Sequence, residues 1–188
     1  AADFTVTVND QDALDAVMAA DNGRDLRQIG VIDASGRSAA WSGKSCTTWF
    51  GQIVEAHFAV QGNMLVSAPT IEEMANAFRA SEVLDLAERL MLALEAGEAA
   101  GGDKRGRQSA ALKVHHREDY PLLDLRVDEH PHPVAELRRV YEIARLQLLP
   151  FVQGMPTRSD PGATAPDSVV KLLAVAPPQR PGGGGSVL

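Results

Sequence analysis

Apolar and polar residues alternate along this chain in short runs with two periods. A period of two marks strands, and a period near 3.6 marks helices. Phe4, Val6 and Val8 alternate with Thr5 and Thr7, which predicts a strand. Asp10 to Ala20 predicts a short helix with Ala13, Leu14, Val17 and Met18 on one side, stopped by Asn22-Gly23. Arg27 to Ala34 and Arg37 to Trp41 read as two strands joined through Ser35-Gly36, a hairpin signal. Ile53 to Val60 contains another strand, which ends at Gln61-Gly62-Asn63. Thr70-Ile71-Glu72-Glu73 has the form of a capping box, so a helix is expected there with Ile71, Met74, Ala75 and Phe78 as its stripe. A second helix is expected from Ser81 to Gly97, with Val83, Ala87, Leu90, Met91 and Leu94 on one face. Gln108 to His115 and Leu122 to Val127 read as strands. Pro133 suits the first turn of a helix running to Leu149, with Val134, Leu137, Tyr141, Ala144 and Leu148 inward. This mixed order argues for a layered α/β or α+β domain.

From Phe151 the pattern breaks. Pro156, Pro161, Pro166, Pro177, Pro178 and Pro181 interrupt the chain, and Gly182 to Gly185 gives a flexible run. The expected division is therefore a folded domain over residues 1–150 and a Pro/Gly-rich tail over 151–188. An apolar island, Val169 to Ala176, is placed to dock on the body or on a partner.

The chain has 188 residues, 45% hydrophobic and 23% charged, which allows one domain with a real core. Its net charge of −7 disfavours nucleic acid and anionic membrane as partners. Cys46 is the single cysteine, so no intrachain disulfide forms, and a reducing, cytoplasmic setting is the simpler expectation. No apolar run reaches the roughly 18 residues of a membrane span, and no signal peptide is evident. The chain opens on Ala1 rather than Met, as a processed chain or a fragment does.

The chemistry concentrates in three places. Gly101 to Ser109 packs glycines, Asp103, Lys104, Arg105, Arg107, Gln108 and Ser109 into one loop. It reads either as an anion nest of backbone N–H groups or as a helix stop followed by a solvated loop. It lacks the Gly-Lys-Ser/Thr ending of a Walker loop. Gln61 and Asn63 flank Gly62 at a strand end, where amides could donate to an oxyanion or merely form a turn. Asp124, Arg126 and Asp128 share one strand face, as a polar cleft or as a self-screened solvated surface. Asp128-Glu129-His130-Pro131-His132 has irregular spacing for a metal, so no metal and no cofactor are expected.

Four blocks stand together in order: Arg24 to Gly43 (RDLRQIGVIDASGRSAAWSG), Phe58 to Leu65 (FAVQGNML), Ala99 to Val114 (AAGGDKRGRQSAALKV) and Leu123 to Val140 (LDLRVDEHPHPVAELRRV). Over Asp12 to Leu148 they resemble an uncharacterised prokaryotic family, domain of unknown function family 1028. That family is grouped with the N-terminal nucleophile hydrolases. The resemblance implies an α+β fold, an αββα sandwich, and an amidohydrolase whose first residue is the nucleophile and whose own α-amino group is the base. A hydroxyl needs such an adjacent base, and a free amine with a pKa near ~8 suits the task. Asn63, Asp103 and Ser109 are then the catalytic candidates. Gln61, Arg107, Gln108, Asp124 and Arg126 are the candidates for holding a small amide substrate.

The chain departs from the family where it matters most. Its opening strand joins almost directly to the next helix, so part of the family's N-terminal region is absent and the sheet is reduced. Asp3 stands where a nucleophile is expected. The alternative is a non-catalytic scaffold. Either way a reduced sheet exposes edges, so a homo-oligomer or a companion chain supplying the missing strands is expected.

Overall fold

The computed structural model describes residues 10–173. The expected strand at Phe4–Val8, the Asp3 position and the Gly182–Gly185 run lie outside the described residues, as does the end of the Val169–Ala176 island. The chain forms two compact units, Ala1–Arg107 and Gln108–Leu188. The fold class is α+β, and the described residues form helices and three separate antiparallel hairpins.

The first unit is built from two hairpins. β1 (Gln28–Ile32) pairs with β2 (Ser38–Ser42), and β3 (Gly51–Glu55) pairs with β4 (Phe58–Gly62). The turn between β1 and β2 is set by Asp33, whose carboxylate accepts from the backbone N–H groups of Ser35 (2.8 Å) and Arg37 (2.9 Å). Gly36 completes it at φ +80°. The second turn was not legible as a turn. Residues 53–60 read as one strand, yet they reverse at Ala56-His57, with His57 left-handed at φ +72°. No Gly or Asn announces this turn. It is held by its neighbour, since His57 N–H donates to Gly36 O at 2.6 Å.

Each hairpin has a helix on one face and the other hairpin on its second face. α1 (Asp10–Ala20) lays Leu14 and Met18 on Ala39, with Ile29, Val31 and Trp41 around them. α2 (Pro69–Ala80) lays Ile71, Ala75 and Phe78 on Phe58 and Val60. α3 (Leu86–Ala99) packs along α2 and adds Ala93 to this cluster. Burying an Ile or a Phe in this way contributes about 1.5–3 kcal/mol each. The two hairpins meet through their remaining faces.

Two helix starts differ from expectation. α2 begins at Pro69, and no side chain caps it. Thr70 is buried in the first turn, so the capping-box residues lie inside the helix. α3 begins at Leu86 rather than near Ser81, because Asp85 is its N-cap and accepts from Glu88 N at 3.0 Å. Val83, expected inward, is 95% exposed on the preceding turn.

The second unit is a hairpin covered by one long helix. β5 (Ala110–Val114) pairs with β6 (Leu123–Val127). Leu112, Val114, Leu123, Leu125 and Val127 are buried on the face beneath α4 (Pro133–Gln153), which contributes Leu137, Tyr141 and Ala144. α4 runs past the composition change at residue 150, carries Pro150 within it, and leaves Leu148 exposed rather than inward. The chain beyond it is anchored. Tyr120 Oη donates to Pro156 O (3.2 Å), and Arg158 pairs with Asp119 (2.7 Å). α5 (Asp167–Leu173) rests on α4 with Val169 buried. Among the described residues no helix is long and apolar enough to cross a membrane.

Candidate functional site

The seam between the two hairpins of the first unit is polar. On β1 and β2 it presents Gln28, Gly30, Ala40 and Ser42, and on β3 and β4 it presents Gln52 and Gln61. At one end the Gln28 amide donates to Ser42 Oγ (2.9 Å), Gly62 O (3.0 Å) and Gly51 O (3.2 Å). Its carbonyl oxygen accepts from Asn63 Nδ2 at 3.1 Å. Ser42 Oγ donates to Gln52 Oε1 (2.8 Å), and Gln52 Nε2 donates to Ala40 O (3.0 Å). In the middle the Gln61 side chain lies on Gly30, where an added Cβ would come within 2.4 Å of its Oε1. Only a glycine allows this approach. Gln61 Oε1 is buried without a hydrogen-bond partner.

β4 leads from Gln61 through Asn63 to Met64, which is left-handed at φ +58°. The chain then runs as a short extended segment between two others. On one side Met64 N donates to Thr47 O (3.0 Å), and Leu65 N donates to Trp49 O (3.0 Å). On the other, Val66 N donates to Gly102 O (3.0 Å), and Lys104 N donates to Met64 O (2.8 Å). The glycine-rich loop can lie here because Gly101 and Gly102 take φ +120° and +60° directly after α3. The Lys104 ammonium crosses to donate to Thr48 O. So the tertiary structure gathers Gln61, Asn63 and Asp103 of the predicted set around one edge, together with Gln28 and Lys104.

The charges of this loop are engaged. Asp103 receives Arg105 Nη2 at 2.6 Å and Arg105 N at 2.8 Å. The Arg105 guanidinium holds its carboxyl below the usual carboxylate range. Arg107 turns back to Glu98 at 2.7 Å. The loop is therefore a helix stop that docks on residues 64–66 rather than an open ring of free cations.

The other predicted residues belong to the second unit. Gln108 and Ser109 are exposed ahead of β5, and Gln108 O accepts from His130 N at 2.9 Å. Asp124 faces Lys113 across the hairpin at 3.4 Å. Arg126 makes a two-pronged contact with Asp128, at 2.9 Å to each carboxylate oxygen. The Arg126 contact keeps the Asp128 carboxyl below its ordinary range. Among the described residues no group of three or more His, Cys, Asp and Glu is disposed to hold a metal ion.

Gln28 is the residue that sequence reasoning missed. Its one signal was a polar amide at the head of an apolar strand, which reads equally as a solvent-facing position.

Among the described residues, a first unit with a hairpin pair flanked by helices and a polar inter-hairpin seam, and a second unit with a helix-covered hairpin, define an α+β protein. The chain belongs to the family of unknown function DUF1028, whose pattern matches residues 6–137. It is similar to the crystal structure of protein SPO2555 from Silicibacter pomeroyi, which carries the same family name. The two share 32% identity and superpose with a TM-score of 0.75 over 85% of this chain and 69% of that one. No curated protein matches the chain.

Proposed function

We propose that the first unit is an amide-hydrolysing domain of the N-terminal nucleophile hydrolase kind, with its site at the seam end marked by Gln28 and Asn63. The observation that supports this reading is the layer order. α1, the β1–β2 hairpin, the β3–β4 hairpin and α2 with α3 follow one another as helix, sheet, sheet, helix, as an αββα sandwich requires. One Nδ2 hydrogen of Asn63 is committed to Gln28 Oε1, which fixes the amide in orientation. The second is left to meet a substrate carbonyl oxygen as negative charge develops on it. Lys104, tethered over Thr48 O, adds positive charge beside the same edge. The chain opens on Ala1, so in this reading a companion chain that begins with Thr, Ser or Cys supplies the nucleophile, and its free amine takes the hydroxyl or thiol proton.

A second reading has its own support. Every charged candidate is already paired: Asp103 with Arg105, Arg107 with Glu98, Asp124 with Lys113 and Arg126 with Asp128. Pairing of this kind suits a scaffold that no longer performs chemistry.

A panel of small amides and lactams separates the two. With native-length protein, Asn63→Ala is expected to lower kcat about 10²–10³-fold, the cost of losing one oxyanion donor. Circular dichroism serves as the folding control. Absence of turnover on the whole panel favours the scaffold. Turnover that Asn63→Ala leaves intact removes the seam end from the site.

A further inference from the structure

The middle of the seam in the first unit holds polar atoms that its own side chains leave unsatisfied. Gln61 Oε1 and Ser38 Oγ are both buried without a hydrogen-bond partner among the described residues. Both residues belong to the faces that the hairpins turn toward each other. In β2, Ala39 and Trp41 pack on α1, so Ser38, Ala40 and Ser42 take the opposite face. In β4, Phe58 and Val60 pack on α2, so Ala59 and Gln61 face β1 and β2. An amide oxygen or a hydroxyl taken from water and left unpaired is costly, so nearly all such buried groups find a partner, in the protein or in ordered water.

The register brings the two atoms near each other. Gly30 pairs with Ala40 and Ile32 with Ser38, so Gly30 and Ser38 are diagonal neighbours on one face. Such neighbours have Cα atoms about 7–8 Å apart. The Gln61 amide lies directly on Gly30. Its oxygen therefore sits a few ångströms from Ser38 Oγ and does not touch it. One water between two polar atoms spans about 5.5 Å, two hydrogen-bond lengths. The side chains around this point are small, at Gly30, Ala40 and Ala59, which leaves room. An ion does not suit the place, because a buried charge needs a charged partner. β1, β2 and β4 carry no charged residue, and the one charge of β3, Glu55, is taken by Arg79 of α2.

We infer that the seam binds a resident water between Gln61 of β4 and Ser38 of β2. The water donates one hydrogen to Gln61 Oε1 and shares a hydrogen bond with Ser38 Oγ. Water serves either orientation of the Gln61 amide, because it both donates and accepts. It ties the hairpins together in mid-seam, as the Gln28 side chain does at the seam end. It also gives Gly30 a purpose: any larger residue would push away the amide that holds the water. The inference is independent of the amide-hydrolase reading, whose site is the seam end at Gln28 and Asn63.

Water–protein cross-relaxation NMR on the full wild-type chain tests it directly. The Gly30 Hα and Ala40 methyl protons are expected to show the sign of cross-peak that marks a long-lived bound water. Melts followed by tryptophan fluorescence give a second, energetic arm. Gln61→Met is expected to lower the Tm of the first unit by about 3–6 °C, because the water and its bonds are lost. Ser38→Ala is expected to lower it as well. The double variant should fall by less than the sum of the two, because both side chains act through one water. A Tm that rises in Gln61→Met overturns the inference, since removing a dry, unpaired amide from the interior stabilises. Strictly additive shifts overturn it too, because the two side chains then share nothing. So does a wild-type chain with no long-lived water signal at Gly30 or Ala40, whatever the melts show, because Ser38 and Gln61 then find other partners. That measurement needs no variant, so it decides the matter even if Gln61→Met fails to fold.

Discussion

Gln28→Met tests whether the polar seam holds the two hairpins of the first unit together. Met keeps the length of the side chain and removes its hydrogen-bonding groups. The Gln28 amide has two hydrogens serving three acceptors, at 2.9, 3.0 and 3.2 Å, so they make the equivalent of two donor bonds. Its oxygen accepts a third bond, from Asn63 at 3.1 Å. A net hydrogen bond contributes about 0.5–1.5 kcal/mol, and these groups are half-buried, so water replaces part of each loss. The expected cost is about 2 kcal/mol, or a fall in Tm of roughly 4–8 °C for a chain of this size. Both tryptophans, Trp41 and Trp49, lie in the first unit, so their fluorescence reports its unfolding in urea without contribution from the second. The midpoint should fall with an unchanged slope. A loss under about 0.5 kcal/mol would refute the reasoning and would mean that apolar packing alone joins the hairpins.

Three further outcomes follow from particular contacts. Gly43→Ala is expected to cost about 3 kcal/mol, because a Cβ there would lie 2.2 Å from Asp25 O and 2.4 Å from Arg24 O. Those atoms are backbone and are pinned by the Ser45 N–H and the Trp41 indole, so they cannot yield; urea midpoints measure the loss. Arg89 stacks 3.8 Å above the centre of the Phe78 ring and donates to Phe78 O at 3.2 Å. Arg89→Met should lose about 1–2 kcal/mol in thermal melts, and Arg89→Lys should recover little, since an ammonium neither stacks nor forks. The Asp33 carboxyl is held well below its ordinary range, first by the Ser35 hydroxyl and then by the Arg37 and Ser35 N–H groups and the Arg37 guanidinium. Its folded pKa is thus lower than its unfolded one, so its contribution is complete above the unfolded value near 3.8 and is lost as pH falls below it. The stability gap between wild type and Asp33→Asn should therefore be constant near pH 7 and shrink below pH ~4, and a gap that widens on acidification would reverse the assignment.

The local elements were legible because local rules govern them. The apolar stripe Ile71, Ala75 and Phe78 made α2, Pro133 opened α4, and Ser35-Gly36 closed the first hairpin, each through contacts within a few residues. The division of labour on the strands was not legible. Alternation says that a strand has two faces and does not say what covers each. In β1 alternation puts Gln28 and Gly30 on one face without saying what covers it, and the structure sets them against Gln61 and the ends of β3 and β4. The β3–β4 turn failed for the same reason, since His57 is held left-handed by a hydrogen bond to Gly36 rather than by its own preference. The sequence names the candidate site residues, but only the tertiary structure decides their company. The left-handed Met64 and the two left-handed glycines after α3 bring Asp103 and Lys104 beside Asn63, while Arg107 leaves for Glu98. Residue types and spacing determine which chemistry and which elements the chain can have. Long-range hydrogen bonds, whose partners lie 35 residues apart for Gln28 and Asn63, decide where that chemistry is assembled.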